Sequence, residues 1–262
     1  MERTMQTTRR YKRTRQPRRI VLLWLVCLFA AVSFGVLLAI SPAAKALLRW
    51  EGGPAPAVAP VEGREIPGVI DAPFIDQRDN RSLLEHYAKG RTVLNMFCYT
   101  GGFSVYALRG GAKAVHSVDS SEKAIRLTEA NVALNYPDDT RHRAFVDDAF
   151  HFLDEMEQEY DLIVLDPPAF AKHKSALRNA LIGYRRLNAK AFSKIAKGGL
   201  LFTFSCSQAV SREQFRLSVF SAAAQSGRRV RILHQLTQPA DHPVNIYHPE
   251  GEYLKGLVLY VE

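Results

Sequence analysis

LNMFCYTGGFSVYA, residues 94 to 107, is the stretch on which the fold turns. Its first residues end an apolar run, Gly101 and Gly102 interrupt it, and a helical pattern begins at once. Glycines at a strand-to-helix turn let backbone approach a ligand closely and aim helix N–H groups at it. Two adjacent glycines also make ordinary turns, so the pair alone decides little. The spaced three-glycine pattern of a dinucleotide site is missing, which disfavours a pyrophosphate ligand.

On either side of this turn, apolar runs alternate with helical patterns, the texture of a parallel sheet covered by helices. Strands are expected at 93–97, 113–118, 142–146, 161–165, 200–205 and 229–234, with a seventh at 254–261. Helices fit at 103–109, 121–134, 148–157, 175–196 and 211–226. Ser121, Asp148 and Ser211 stand where N-caps belong, and Gly198 with Gly199 is expected to close the long fourth helix. Right-handed crossovers then give an α/β, doubly wound, seven-stranded Rossmann-like sheet, with its ligands at the carboxyl ends of the strands.

Three strand ends carry polar residues in a telling order. The glycine turn follows the first strand, Asp119 ends the second, and Asp148 follows the third. A carboxylate at Asp119 can accept both ribose hydroxyls of a nucleoside, although an Asp there also serves as a cap. Asp148 can accept from an adenine amino group, cap the next helix, or do both. A nucleoside without a phosphate tail suits this set, and S-adenosylmethionine answers that description.

The fourth strand leads into Asp166-Pro167-Pro168-Ala169-Phe170, where two prolines stiffen the backbone and hold the Asp at the rim of the sheet. Ser205-Cys206-Ser207 follows the fifth strand. A buried cysteine is ordinarily a small hydrophobe. Its place beside the Asp166 loop favours a nucleophile instead.

The stretches LNMFCYTGGFSVYA, VDSS, DLIVLDPPAF, FTFSCSQ and PADHPVNIYHPEGEYLKGLVLYVE together resemble bacterial ribosomal RNA large-subunit methyltransferases that make 5-methylcytosine. The resemblance covers about 74 to 262 and includes FIDQRDNR, Phe74 to Arg81, for which sequence offers no physical role. It implies a class I methyltransferase fold in which Asn95, Phe97, Thr100, Gly101, Gly102, Asp119 and Asp148 surround S-adenosylmethionine. Asp166 would border the cofactor and face the base together with Cys206. The implied chemistry needs a thiolate, because carbon 5 of cytosine is a poor nucleophile until a thiolate has added to carbon 6. Asp166 would stabilise charge during that addition, on a base flipped out of its stack. Many RNA cytosine methyltransferases carry a second Cys after the proline pair; here that position is Ala169. The family also has an N-terminal RNA-binding domain whose place is taken here by other sequence. His242, Asn245, Tyr247 and His248 lie in a loop that either touches substrate or is structural.

The rest of the chain divides by composition. Residues 1–19 form a tail in which eight basic residues face Glu2 alone, so about +7 of the +9 net charge sits there. The remainder is only mildly basic, and the charge does not by itself argue for nucleic acid. Ile20 to Ile40 is an uncharged apolar run of a length that suits a transmembrane helix, with a cleavable signal peptide as the alternative. Residues 41–73 read as a linker and 74–262 as the methyltransferase domain. Three cysteines, Cys27, Cys98 and Cys206, are too few and scattered for a disulfide framework or a zinc site, and no metal spacing is evident. The expected partner is ribosomal RNA, with membrane association through 20–40, and the expected workplace of the domain is the cytoplasm. The competing readings are an RNA guanine-N methyltransferase, a small-molecule methyltransferase and a non-catalytic methyltransferase remnant joined to a membrane segment.

Overall fold

The computed structural model describes residues 75–157, 159–248 and 251–262. A short 3-10 turn, Ile75–Gln77, leads into α1, Arg78–Ala88. There follow β1 (Thr92–Met96), α2 (Gly102–Arg109), β2 (Ala114–Asp119), α3 (Glu122–Asn135), β3 (His142–Val146) and α4 (Ala149–Glu155). The second half comprises β4 (Tyr160–Leu165), α5 (Leu177–Lys194), β5 (Ile195–Ser205), α6 (Arg212–Ser226), β6 (Val230–Leu236) and β7 (Lys255–Val261). The sheet order is β3-β2-β1-β4-β5-β7-β6. Order reverses between β1 and β4, so the carboxyl ends of those strands flank the topological switch.

Alternate residues of the central strands feed two cores on opposite faces. Leu94 and Met96 of β1 join Ile163, Leu201, Leu153 of α4, Phe192 of α5 and Phe215 of α6. Val93 joins Leu162, Phe202, Leu84 of α1, Leu108 of α2 and Val132 of α3. All five residues of β1 are buried, the mark of a parallel strand covered on both sides. The three expected caps form: Ser121 accepts from the Ala124 N–H, Asp148 from the Phe150 and His151 N–H groups, and Ser211 with Gln214 completes a capping box.

Several expectations change. The sheet is mixed, because β7 runs antiparallel to both β5 and β6. Gly198 and Gly199 do not close a helix: α5 ends at Lys194 and β5 begins directly at Ile195. The glycines instead form a bulge in that strand. Tyr160 pairs with Ile195 and Leu162 with Leu200, so two steps on β4 face five on β5. Gly198 has φ +79, and a Cβ on Gly199 would stand 2.8 Å from the Ala196 carbonyl oxygen. The helix α1 was not expected at all. It buries Asn80, Leu84 and Ala88 at helical spacing and packs so close to the end of α2 that a Cβ on Gly110 would lie 2.2 Å from the Glu85 carbonyl oxygen.

The transmembrane-helix expectation is also corrected. Among the described residues no helix is long and apolar enough to cross a membrane. The longest of them, α5, carries Arg178, Arg185, Arg186, Lys190 and Lys194, which hydrocarbon does not accept. The apolar run 20–40 on which the expectation rested, the tail 1–19 and the linker 41–73 lie outside the described residues.

Candidate active site

Between β1 and α2 the chain makes a turn of unusual backbone. Phe97, Tyr99 and Gly101 have φ of 58°, 49° and 77°. A left-handed conformation costs a residue other than glycine about 1–3 kcal/mol and persists only when its surroundings over-determine it. They do so here. The Cys98 N–H donates to the Val118 carbonyl at 3.1 Å and the Gly101 N–H to the Cys98 carbonyl at 2.8 Å. From α3, Thr128 Oγ1 donates to the Tyr99 carbonyl at 3.0 Å and Asn131 Nδ2 to the Thr100 carbonyl at 2.8 Å. A Cβ at Gly101 would stand 2.7 Å from Thr128 Cγ2, so both conformation and space demand glycine there.

The strand-end acids close around this turn. Asp119 accepts from the Tyr99 N–H at 3.1 Å through one oxygen and from the Ser121 N–H at 2.9 Å through the other. Asp148 caps α4 through a single oxygen. Among the described residues neither acid is in an ion pair. Phe97 is half-buried against the larger core, Thr100 is buried, and Gly102 opens α2. Asn95 sits lower than the others, buried beneath the turn, where its Nδ2 donates to Ser104 Oγ at 2.8 Å. Ser104 continues to Ser117 at 2.7 Å and Ser117 to His142 at 2.8 Å.

Across the switch point, Asp166 follows β4 and Cys206 follows β5. Cys206 Sγ lies 3.8 Å from the Pro167 carbonyl oxygen, so the sheet brings the two loops into contact, as adjacent strand ends must. The Asp166 carboxyl is pushed up to about 7, first by burial and then by nearby Asp76, with Arg81 and a hydrogen bond from Gln77 opposing. The Cys206 thiol is pushed up to about 11 by burial and then by Asp166 and Asp76, with Lys255 opposing. Cys98 is buried on the glycine turn against Thr128, and burial drives its thiol up to about 12.

The segment without a sequence-based role supplies much of this surrounding. Gln77 Nε2 donates to Asp166 Oδ2 at 3.1 Å, and Asn80 Nδ2 fixes Gln77 by donating to its Oε1 at 2.7 Å. Buried Asp76 accepts from Tyr253 Oη at 2.7 Å, and Tyr253 is also 3.2 Å from His242 Nε2. Arg81 spans the gap to the turn, its Cδ 3.1 Å from where a Gly102 Cβ would be and its guanidinium 5.7 Å from the Tyr106 ring. Only the density of polar residues in an otherwise helical stretch signals this in the sequence. Asn245, Tyr247 and His248 are exposed in the long loop before β7. Among the described residues no group of three or more His, Cys, Asp or Glu is gathered to hold a metal ion.

The sequence profile of the S-adenosylmethionine-dependent methyltransferase family matches residues 69–250. Ribosomal RNA large subunit methyltransferase I of Tolumonas auensis is 49% identical over 189 residues, covering 71% of this chain and 48% of that protein. The protein of the same name from Shigella flexneri is 39% identical over 216 residues, covering 79% and 54%. The chain thus spans about half the length of the curated relatives it matches. A crystal structure described as a methyltransferase complexed with SAH superposes with TM-score 0.64 at 30% identity, over 72% of this chain and 50% of that one. A SAM-dependent methyltransferase structure from Streptococcus mutans gives TM-score 0.63 at 28% identity, over 71% and 49%.

Proposed function

This chain belongs to the S-adenosylmethionine-dependent methyltransferase family, and from that premise we propose that it methylates carbon 5 of a cytosine in large-subunit ribosomal RNA through a covalent adduct at Cys206. The observation that carries the reading is the contact between the Asp166 and Cys206 loops at the switch point, beside a turn of cofactor-binding type. The names of the relatives support ribosomal RNA as substrate.

The cofactor is S-adenosylmethionine, and the residues present fit it. Asp119 would take the ribose hydroxyls and Asp148 the adenine amine, each having acceptor capacity and no competing ion pair. Phe97, Thr100, Gly101 and Gly102 would line the turn, and Asn95 would brace it from below. Bound there, the cofactor would supply a methyl group on a sulfonium, an electrophile that carbon 5 of neutral cytosine does not attack.

Cys206 meets that need. Its thiolate would add to carbon 6 of the flipped base, and the new S–C bond would push an electron pair onto carbon 5, making that carbon nucleophilic toward the methyl group, whose departure would leave the cofactor's sulfur as a neutral thioether. Loss of the carbon 5 proton to a base and cleavage of the S–C bond then return the thiolate and release the product. Asp166 with its carboxyl near 7 is protonated often enough at neutral pH to donate to ring nitrogen 3 as charge builds there. Its neutral form also removes the largest negative-charge effect opposing the thiolate. The domain 74–262 would carry this chemistry in the cytosol, where both the cofactor and ribosomal RNA are found.

An RNA containing 5-fluorocytosine at the target tests this, since fluorine blocks the proton loss that precedes release. The wild-type protein should form a stable adduct. Cys206→Ala should lose adduct and turnover while binding the cofactor as before. Wild-type methylation by that variant, or a methyl group found on a guanine nitrogen, overturns the reading and favours a guanine methyltransferase.

A further inference from the structure

Lys255 opens β7 and is 4% exposed, a buried lysine that the chemistry above does not use. In the antiparallel ladder it stands opposite Ser205, the residue before Cys206. Its Nζ donates at 2.6 Å to the carbonyl of Ser207, the residue after. Lys255 therefore touches the nucleophile's loop on both sides of the thiol. Burying an ammonium costs several kcal/mol in lost hydration, and a neutral donor could serve the Ser207 carbonyl equally well.

We propose that Lys255 is a positioning residue for Cys206, fixing the turn that carries the thiol and supplying the positive charge against which its thiolate forms. The proposal rests on the reading of Cys206 as nucleophile. The charges around the pair agree with it. Asp166 and Asp76 oppose a thiolate, Tyr184 of α5 and Tyr253 are pushed up by burial and stay neutral beside it, and Lys255 acts in its favour. Around Lys255 itself, Arg212 at the start of α6 disfavours its charge and Glu252 favours it, and those two are paired with each other at 2.5 Å. Burial draws the ammonium down to about 8, which still leaves it mostly charged at neutral pH. The thiol proton therefore goes to solvent and Lys255 takes no proton in the step.

Alkylation by iodoacetamide, followed peptide by peptide in the full chain as pH is raised, reads the thiol directly: the thiolate forms the S–C bond and iodide leaves. Lys255→Met should move the Cys206 midpoint up by about one pH unit and slow its alkylation below that midpoint about tenfold. Lys255→Arg should restore most of the rate, and Cys98 should keep its own profile throughout. Coincident Cys206 profiles for wild type and Lys255→Met overturn the proposal. Calorimetric binding of S-adenosylmethionine checks that each variant is folded; if Lys255→Met fails that check, Lys255→Gln against Lys255→Arg gives the same two outcomes. A shifted profile together with methylation that survives Cys206→Ala would uphold the electrostatic link and sink the nucleophile reading, so the two failures are distinct.

Discussion

Under the glycine turn a neutral chain of hydrogen bonds runs from Asn95 through Ser104 and Ser117 to His142, while beyond the switch point Asp166, Cys206 and Lys255 hold ionisable groups largely out of water. The first region is built to hold a shape. Its side chains are linked one to the next by hydrogen bonds, with Asn95 Oδ1 alone left without a partner in the chain, and burial together with His116 pulls His142 down to about 4, keeping the ring neutral. In the second region a carboxyl, a thiol and an ammonium have all been moved toward neutrality by burial. Buried polarity thus braces the backbone on one side of the switch point and shifts the titration of ionisable groups on the other.

Asp166→Asn separates the two regions most strongly. Methyl transfer should fall about a thousandfold, or about 4 kcal/mol of barrier. Stability should move the other way. Asp166 has a folded pKa above its ordinary value, so its contribution to stability is complete at acid pH and is lost as pH rises through about 7. Above that pH the variant should be more stable than wild type by roughly 2 kcal/mol. Rate assays and denaturation at two pH values check both, and a variant that is less stable at alkaline pH would show that Asp166 is structural.

Gly101→Ala attacks the bracing side. A side chain at φ 77° and 2.7 Å from Thr128 should destabilise the domain by about 2–3 kcal/mol, with loss of cofactor affinity. An unchanged melting temperature would mean that the turn tolerates distortion. Asp119→Ala should weaken S-adenosylmethionine binding about ten- to a hundredfold, and calorimetry showing equal affinity would remove Asp119 from the cofactor site.

The smallest effect is acid sensitivity of the neutral chain. His142 is depressed below its ordinary value when folded, so its contribution is present above about 6.5 and lost as pH falls toward about 4. Across that interval the domain should lose roughly 1–2 kcal/mol, and His142→Asn should flatten the loss. A curve unaltered by that substitution would place the acid-sensitive group elsewhere.

Period, caps and turn chemistry are local properties, and they were legible in the chain. Ser121, Asp148 and Ser211 cap the helices expected of them, and the strands begin and end within a few residues of their apolar runs, apart from the bulged start of β5. The glycine pairs were not equally legible. Gly101 and Gly102 lie where the pattern changes from strand to helix, whereas Gly198 and Gly199 follow a helix and precede a strand. The same dipeptide at such a junction can cap or bulge, and the β4 register chose the bulge.

The order of polar residues along the chain, a glycine turn and then Asp119, Asp148, Asp166 and Cys206 at successive strand ends, was enough to point to the sheet and the cofactor class. Tertiary structure alone decided what surrounds them. Gln77 meets Asp166 across 89 positions of sequence and Lys255 reaches Ser207 across 48. Neither partner has a local signature, because a buried hydrogen bond between distant elements depends on strand register and helix packing, and no periodicity in one segment records where the other will lie.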